Sequence, residues 1–208
     1  MRTIVIAGIG TEVGKTVVSA VLVEALQADY WKPIQAGDLE HSDTLKVQKL
    51  VSSKQSFFHS EKYRLNTPMS PHAAAEIDST EINLKALNIP ETKNNLIIEL
   101  AGGLMVPLNS EKLNLDLLKS WMVPVILVSK NYLGSINHTL LSLEVLKTNK
   151  VPVLGIIFNG IENKSTEEFI LNYSNMHCIG RIEELPELNK KIIKVQAEKI
   201  KSELQKLL

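Results

Sequence analysis

Gly8-Ile9-Gly10-Thr11-Glu12-Val13-Gly14-Lys15-Thr16 is the stretch that decides the reading of this chain. The apolar run Thr3-Ile4-Val5-Ile6-Ala7 precedes it, and residues 17–28 follow with a helical pattern. A glycine-rich turn between a buried strand and a helix start forms a phosphate cradle, because backbone N–H groups converge there and the helix dipole favours negative charge. Lys15 adds a full positive charge, and the Thr16 hydroxyl suits an Mg²⁺ ion bound to the same phosphates. The expected ligand is a nucleoside triphosphate with magnesium. The usual motif is one residue shorter between its outer glycines; here Gly8 and Gly14 enclose five. The strand before the loop and the helix after it supply the context that the motif requires.

Composition narrows the class. The chain has 208 residues, which predicts a single domain over 1–208 with a substantial core. Lys plus Arg and Asp plus Glu number 23 each, so the formal net charge is zero. No basic excess points to nucleic acid, and no basic cluster marks a membrane surface. Cys178 is the only cysteine, which excludes an internal disulfide and a cysteine-based zinc site. That fits a reducing cytoplasm. The opening apolar run is too short for a secretory signal, and no apolar stretch reaches a membrane span. The expectation is a soluble, cytoplasmic protein acting on a small molecule.

Apolar, β-rich runs recur at residues 3–7, 30–34, 96–100, 123–128, 153–158 and 178–179. They are continuous rather than alternating, as in strands buried on both faces. Helical patterns fall at 15–28, 43–52, 80–87, 135–147, 166–173 and from 188 onward. In that tail Ile192, Val195, Ile200, Leu204 and Leu207 form an apolar stripe, read as a helix face packed on the sheet. The alternation predicts an α/β fold, a doubly wound, mainly parallel sheet with helices on both faces, of the P-loop NTPase kind. Residues 53–79 read as irregular. In such folds ligands lie beyond the C-terminal ends of the strands.

The polar groups at those ends are therefore the candidates. Lys32 follows Tyr30-Trp31 and is either a solvated lysine or a stabiliser of charge during phosphoryl transfer. Glu99 closes an apolar strand ahead of Ala101-Gly102-Gly103 and reads as a magnesium ligand. Asp43 is a helix-start acid taken alone, and a third oxygen ligand if it meets Thr16 and Glu99. Asn159-Gly160 is a turn signal whose amide can also read an adenine edge.

These residues resemble the dethiobiotin synthetase family. Thr11-Glu12-Val13-Gly14-Lys15-Thr16 is identical to that family's loop, with its longer spacing, and Lys32-Pro33-Ile34 is similar to its Lys-Pro-Val/Ile segment. Ser42-Asp43, Ser70-Pro71-His72, Glu99 with Ala101-Gly102-Gly103, Pro124 to Val128 and Gly134-Ser135-Ile136-Asn137-His138 follow in the family's order. The resemblance runs from residue 3 to about residue 160. Ala36 stands where many members have a hydroxyl residue, Leu100 where they have Gly, Gly160 where they often have Asp, and Pro186-Glu187 where some have Pro-Trp.

The resemblance implies carboxylation of 7,8-diaminononanoate with CO₂ and closure of a cyclic urea through a phosphorylated carbamate, with ATP as co-substrate and Mg²⁺ as cofactor. It implies Lys15, Lys32 and Thr11 as catalytic residues. The nucleotide set is Glu12, Val13, Gly14, Lys15, Thr16, Val17, Asp43, Glu99, Gly102, Asn159 and Gly160. Metal ligation falls to Thr16, Asp43 and Glu99, and diamine contact to Ala36, Pro71, His72 and Asn137, the last across a homodimer interface. A competing reading is an ATPase switch of the partitioning or metal-insertion type. Such proteins usually carry a second lysine early in the loop, where this chain has Ile9 and Gly10.

Overall fold

A computed structural model describes residues 2–207. Its elements run β1 (Thr3–Gly8), α1 (Lys15–Leu26), β2 (Asp29–Trp31), β3 (Ile34–Ala36), α2 (Asp43–Leu50), β4 (Phe58–His59), β5 (Tyr63–Leu65) and α3 (Pro71–Ile77). They continue β6 (Leu96–Gly103), α4 (Asn114–Trp121), β7 (Val125–Lys130), α5 (Ser135–Thr148), β8 (Val153–Asn159), α6 (Lys164–Ser174), β9 (Cys178–Ile182) and α7 (Lys190–Leu207). Seven strands form one sheet in the order β4-β2-β6-β1-β7-β8-β9. Every pair in it is parallel. The expected α/β architecture is present.

The central strands explain why their sequences are continuously apolar. Val5, Ala7, Leu96, Ile98, Leu100, Val125 and Leu127 pack into a core on one face. Ile4, Ile6, Ile97, Ile126 and Val128 pack into a second core on the other, against Val18, Val21 and Leu22 of α1. Side chains alternate across a strand, so a strand sandwiched between two layers needs an apolar residue at every position. The same alternation puts Glu99 on the α1 face, two residues beyond Ile97, and Leu100 in the opposite core. Leu100 therefore departs from the family's glycine with its side chain in the core on the face opposite α1.

Several expectations need correction. The run 30–34 is not one strand: β2 stays in the main sheet, and β3 pairs with β5 in a separate two-stranded sheet. Pro33 has no N–H to continue the ladder, and its carbonyl instead accepts hydrogen bonds from Lys62 N at 2.9 Å and Tyr63 N at 3.0 Å. The helix expected over 80–87 is only a 3₁₀ turn at Leu84–Ala86. The segment 53–79 contains β4, β5 and α3, and α4 appears where no helix was expected. The tail helix begins at Lys190, and its buried face is Ile193, Gln196, Ala197, Ile200 and Leu204. Of the expected stripe, Ile200 and Leu204 are buried and Leu207 packs against the core, whereas Val195 is exposed.

Candidate functional site

The phosphate loop leaves β1 at its C-terminal tip. Gly8 and Gly14 bracket it at positions where a Cβ would be crowded, while Gly10 between them has open space. Gly14 has φ 91°, and a Cβ there would meet Asn159 Nδ2 at 2.1 Å. Glu12 takes φ 57°, the left-handed region, so the tight loop is turned by a non-glycine residue as well. Lys15 opens α1, is 6% exposed, and donates to Gly10 O across the loop at 2.8 Å. Burial lowers its pKa to about 8; Glu99 and Asp43 pull it up and Lys32 pushes it further down.

Four of the expected residues join in one hydrogen-bonded cluster beside the loop. Thr16 Oγ1 donates to Glu99 Oε1 at 2.9 Å, and Lys32 Nζ approaches the same oxygen at 3.4 Å. Lys32 also pairs with Asp43 Oδ2. Lys32 is thus no solvated lysine, because it is 6% exposed between two carboxylates. Burial alone would lower its pKa, but Glu99 and then Asp43 outweigh that and raise it. For Asp43 burial acts upward, and Lys32 followed by Lys46 overcomes it, so the carboxyl is held below its ordinary range. The N-cap of α2 is Ser42, whose Oγ accepts from Leu45 N. Asp43 is thereby free of the capping role and turned to the cluster.

The chain supports this cluster with residues that the sequence alone did not single out. Tyr30 donates its hydroxyl to Glu99 Oε2 at 2.8 Å. Gln35 accepts from Asp43 N at 3.2 Å and donates to Gly37 O at 2.9 Å, which locks the entry to α2 onto β3. Beyond Glu99 the β1–β6 register slips: Ile6 pairs with Glu99, but Gly8 pairs with Gly103. Asn114 Nδ2 holds the resulting bulge by donating to Ala101 O at 2.7 Å and Gly103 O at 2.9 Å. A Cβ on Gly102 would lie 3.7 Å from Thr11 Oγ1, so the bulge abuts the exposed side of the loop. A buried Asn at a helix start signals such a carbonyl clamp, but its partners cannot be read from spacing.

The remaining expected residues lie around the cluster or apart from it. Val17, Asn159 and Gly160 line a cavity of about 180 Å³ with Lys130, Glu183, Glu184, Leu185 and Leu188. Asn159 Nδ2 donates to Val13 O at 3.0 Å, which ties the strand end to the loop. Arg181 donates to Gly160 O at 3.0 Å and pairs with Glu167. Ala36 ends β3, beside α3, where Pro71 is buried at the first turn and His72 is exposed. His72 Nδ1 lies 3.0 Å from Ser70 Oγ. Asn137 is on α5, away from the loop, and opens onto cavities of about 580 Å³ and 870 Å³. A cavity of about 380 Å³ separates Ile9, Gly10 and Thr11 from His138 and Leu141 of the same helix.

The donor set suits magnesium in one particular way. Among the described residues, no group of three His, Cys, Asp or Glu side chains gathers to hold a metal unaided. Thr16, Asp43 and Glu99 offer oxygen only, the ligand that Mg²⁺ prefers, and phosphate oxygens and waters must complete the shell. A hard cation brought in with a polyphosphate fits these residues; a soft metal that needs thiolate or imidazole ligands does not. Among the described residues, no helix is long and apolar enough to cross a membrane.

A family model described as an AAA domain matches residues 2–191. The ATP-dependent dethiobiotin synthetase BioD of Christiangramia forsetii is 56% identical over 199 residues, covering 96% of each chain. The protein of the same name from Cytophaga hutchinsonii is 44% identical over 201 residues, covering 96% of this chain and 97% of that one. Among solved structures, the MinC:MinD cell division complex of Aquifex aeolicus matches at TM-score 0.61 and 16% identity, over 100% of this chain and 95% of that one. The septum site-determining protein MinD of Pyrococcus horikoshii, complexed with Mg-ADP, matches at TM-score 0.61 and 15% identity, over 100% and 98%. At such identities the structural likeness speaks to the fold alone.

Proposed function

This chain belongs to the family of ATP-dependent dethiobiotin synthetases, and from that premise we propose how its own residues carry the reaction. The supporting observation is the Thr16–Glu99–Lys32–Asp43 cluster at the mouth of the phosphate loop. The competing ATPase-switch reading has only the shared fold behind it.

One amine of 7,8-diaminononanoate adds to CO₂ and loses a proton, giving a carbamate. A carbamate oxygen attacks the γ-phosphorus of ATP, the bond to the β-phosphate oxygen breaks, and ADP leaves. The second amine then attacks the carbamate carbon. The carbon–oxygen bond to phosphate breaks, phosphate departs with that oxygen, and the nitrogen loses its proton as the ring closes. Most of what such a site must supply is positioning and fixed charge.

Lys15 leaves Gly10 O to bind the β- and γ-phosphates, and the helix start behind it orients loop N–H groups at the same oxygens. Lys32 releases one carboxylate and turns to the carbamate and the transferring phosphoryl group. Its raised pKa keeps it charged at neutral pH, which is what stabilising a charge-rich transition state requires. Thr16, Asp43 and Glu99 would hold Mg²⁺ together with phosphate oxygens, and the ion would supply charge neutralisation on the polyphosphate. Thr11 and Glu12 border the diamine side of the loop, Val13, Gly14 and Gly102 border the phosphates, and Val17 and Gly160 border the base. With Asn159 Nδ2 engaged by Val13 O, its carbonyl oxygen remains an acceptor for an exocyclic amine, which favours adenine.

The diamine's own contacts fall to Ala36, Pro71, His72 and Asn137. Asn137 reaches a phosphate loop only if a second copy covers the α5 face, where Met105, Leu133 and Leu141 are exposed. We therefore infer a homodimer, checked by sedimentation at assay concentration; a monomer with full activity would overturn it. The reaction itself is tested with the diamine, bicarbonate and MgATP. ADP release that requires the diamine, with a cyclic urea product, is expected. ATP turnover indifferent to the diamine would overturn the assignment in favour of the switch.

A further inference from the structure

Glu99 can present one oxygen to the phosphate site only if its other oxygen is held. The fold supplies that hold from an unexpected place. β2 pairs with β6 so that Tyr30 lies opposite Ile97. Glu99 is two residues further along β6, hence on the same face and diagonal to Tyr30, within reach of a long aromatic side chain. Tyr30 belongs to the core on the α1 face, with no exposed surface. Its ring is fixed there, tilted against Phe58 at 6.4 Å between centroids. Only the hydroxyl leaves the apolar layer, and it donates to Glu99 Oε2 at 2.8 Å.

The two oxygens of Glu99 are thereby given different work. Oε2 is occupied by a rigid neutral donor inside the core. Oε1 points to Thr16 and Lys32, the groups that meet the phosphates. A carboxylate 1% exposed and without that donor would have a buried, unpaired oxygen, free to rotate toward Lys32.

We propose that Tyr30 is a positioning residue for the magnesium–nucleotide site, acting through Glu99 by fixing its carboxylate so that Oε1 faces the cation. This rests on the assignment of Glu99 as a metal ligand made above. Groups that orient a ligating carboxylate typically contribute about tenfold or more to metal affinity.

The test is Tyr30→Phe, which keeps the ring and removes one oxygen. ADP affinity is measured by calorimetry with Mg²⁺ and with a chelator, and the ratio of the two gives the metal's contribution without turnover. Tyr30→Phe is expected to reduce that ratio about tenfold, with metal-free ADP affinity little changed. Glu99→Gln separates the two layers of the argument. If Glu99→Gln reduces the ratio and Tyr30→Phe does not, Tyr30 only packs and the proposal is overturned. If neither variant changes it, the assignment of Glu99 itself is overturned. Should Tyr30→Phe not fold, the wild-type protein still decides. Tyr30 is the one buried tyrosine of four, and with tyrosine labelled at Cζ its resonance must shift when Mg²⁺ joins bound ADP. No shift overturns the proposal.

Discussion

Replacing Lys32 with Met removes one charge from a buried cluster of three. The side chain keeps its length and apolar stem, so the change is mainly electrostatic. Glu99 loses a partner at 3.4 Å and Asp43 loses its closest one. Glu99 is 1% exposed and, among the described residues, has no other cation within salt-bridge distance, whereas Asp43 keeps Lys46 at 3.5 Å and a side chain 18% exposed. Breaking a buried ion pair from one side costs about 3–5 kcal/mol, and the relief available to Asp43 places this variant at the low end, about 3 kcal/mol. For a chain of this size that corresponds to a fall in Tm of about 6–12 °C. The pH dependence carries a sign. The depressed Asp43 carboxyl contributes stability that is present above its unfolded pKa and is lost as pH falls through the lower folded value. Lys32→Met abolishes that contribution, so the gap in Tm between variant and parent is widest at neutral pH and narrows in acid. Turnover should fall about a hundredfold to a thousandfold, as for other buried donors to developing charge. Thermal melts at neutral and acidic pH, with diamine-dependent ADP release, measure both. A Tm gap that is absent at neutral pH, or one that widens in acid, would refute the electrostatic reasoning. Unchanged turnover would refute Lys32's role.

Gly14→Ala should weaken ADP binding at least tenfold in calorimetry, because its Cβ would meet Asn159 Nδ2 at 2.1 Å on a backbone with φ 91°. Nucleotide affinity should fall as pH rises through about 8, where burial sets the Lys15 pKa; binding then takes up a proton, which calorimetry in buffers of different ionisation enthalpy detects. The same lysine makes the folded state shed a proton near 8 while the unfolded chain holds it, so stability should rise with pH above that point. Asn114→Ala should lower stability by about 1–2 kcal/mol in urea unfolding, since it removes the side-chain donor from the half-buried Ala101 O and leaves Gly103 O only Val106 N at 3.3 Å.

The parallel sheet was legible because its central strands are continuously apolar up to their C-terminal ends, as burial on both faces requires. The loop was legible because Gly14-Lys15-Thr16 follows such a strand. Lys32 and Glu99 were found by asking what lies at strand ends, Asp43 as a helix-start acid that gains a role beside them, and the structure brings the three together. What escaped were features set by tertiary contacts. Pro33 splits an apolar run between two sheets, yet its neighbours Tyr30-Trp31 and Ile34 look alike in composition. The short strands β4 and β5 exist only through their partners and carry little pattern of their own. Tyr30, Gln35 and Asn114 act through registers and carbonyl partners far along the chain. The tail helix was phased by its most apolar residues, whereas packing against α1 buries Gln196 and leaves Val195 in solvent.

In the proposed reaction the carbamate itself receives the γ-phosphoryl group at this cluster. Carbon dioxide labelled with ¹⁸O traces it directly, because the phosphate released on ring closure keeps the carbamate oxygen that attacked phosphorus. Inorganic phosphate carrying one labelled oxygen, formed in step with ADP and the cyclic urea, is expected. Unlabelled phosphate accompanying the same ADP would contradict it, since water rather than the carbamate would then have taken the phosphoryl group.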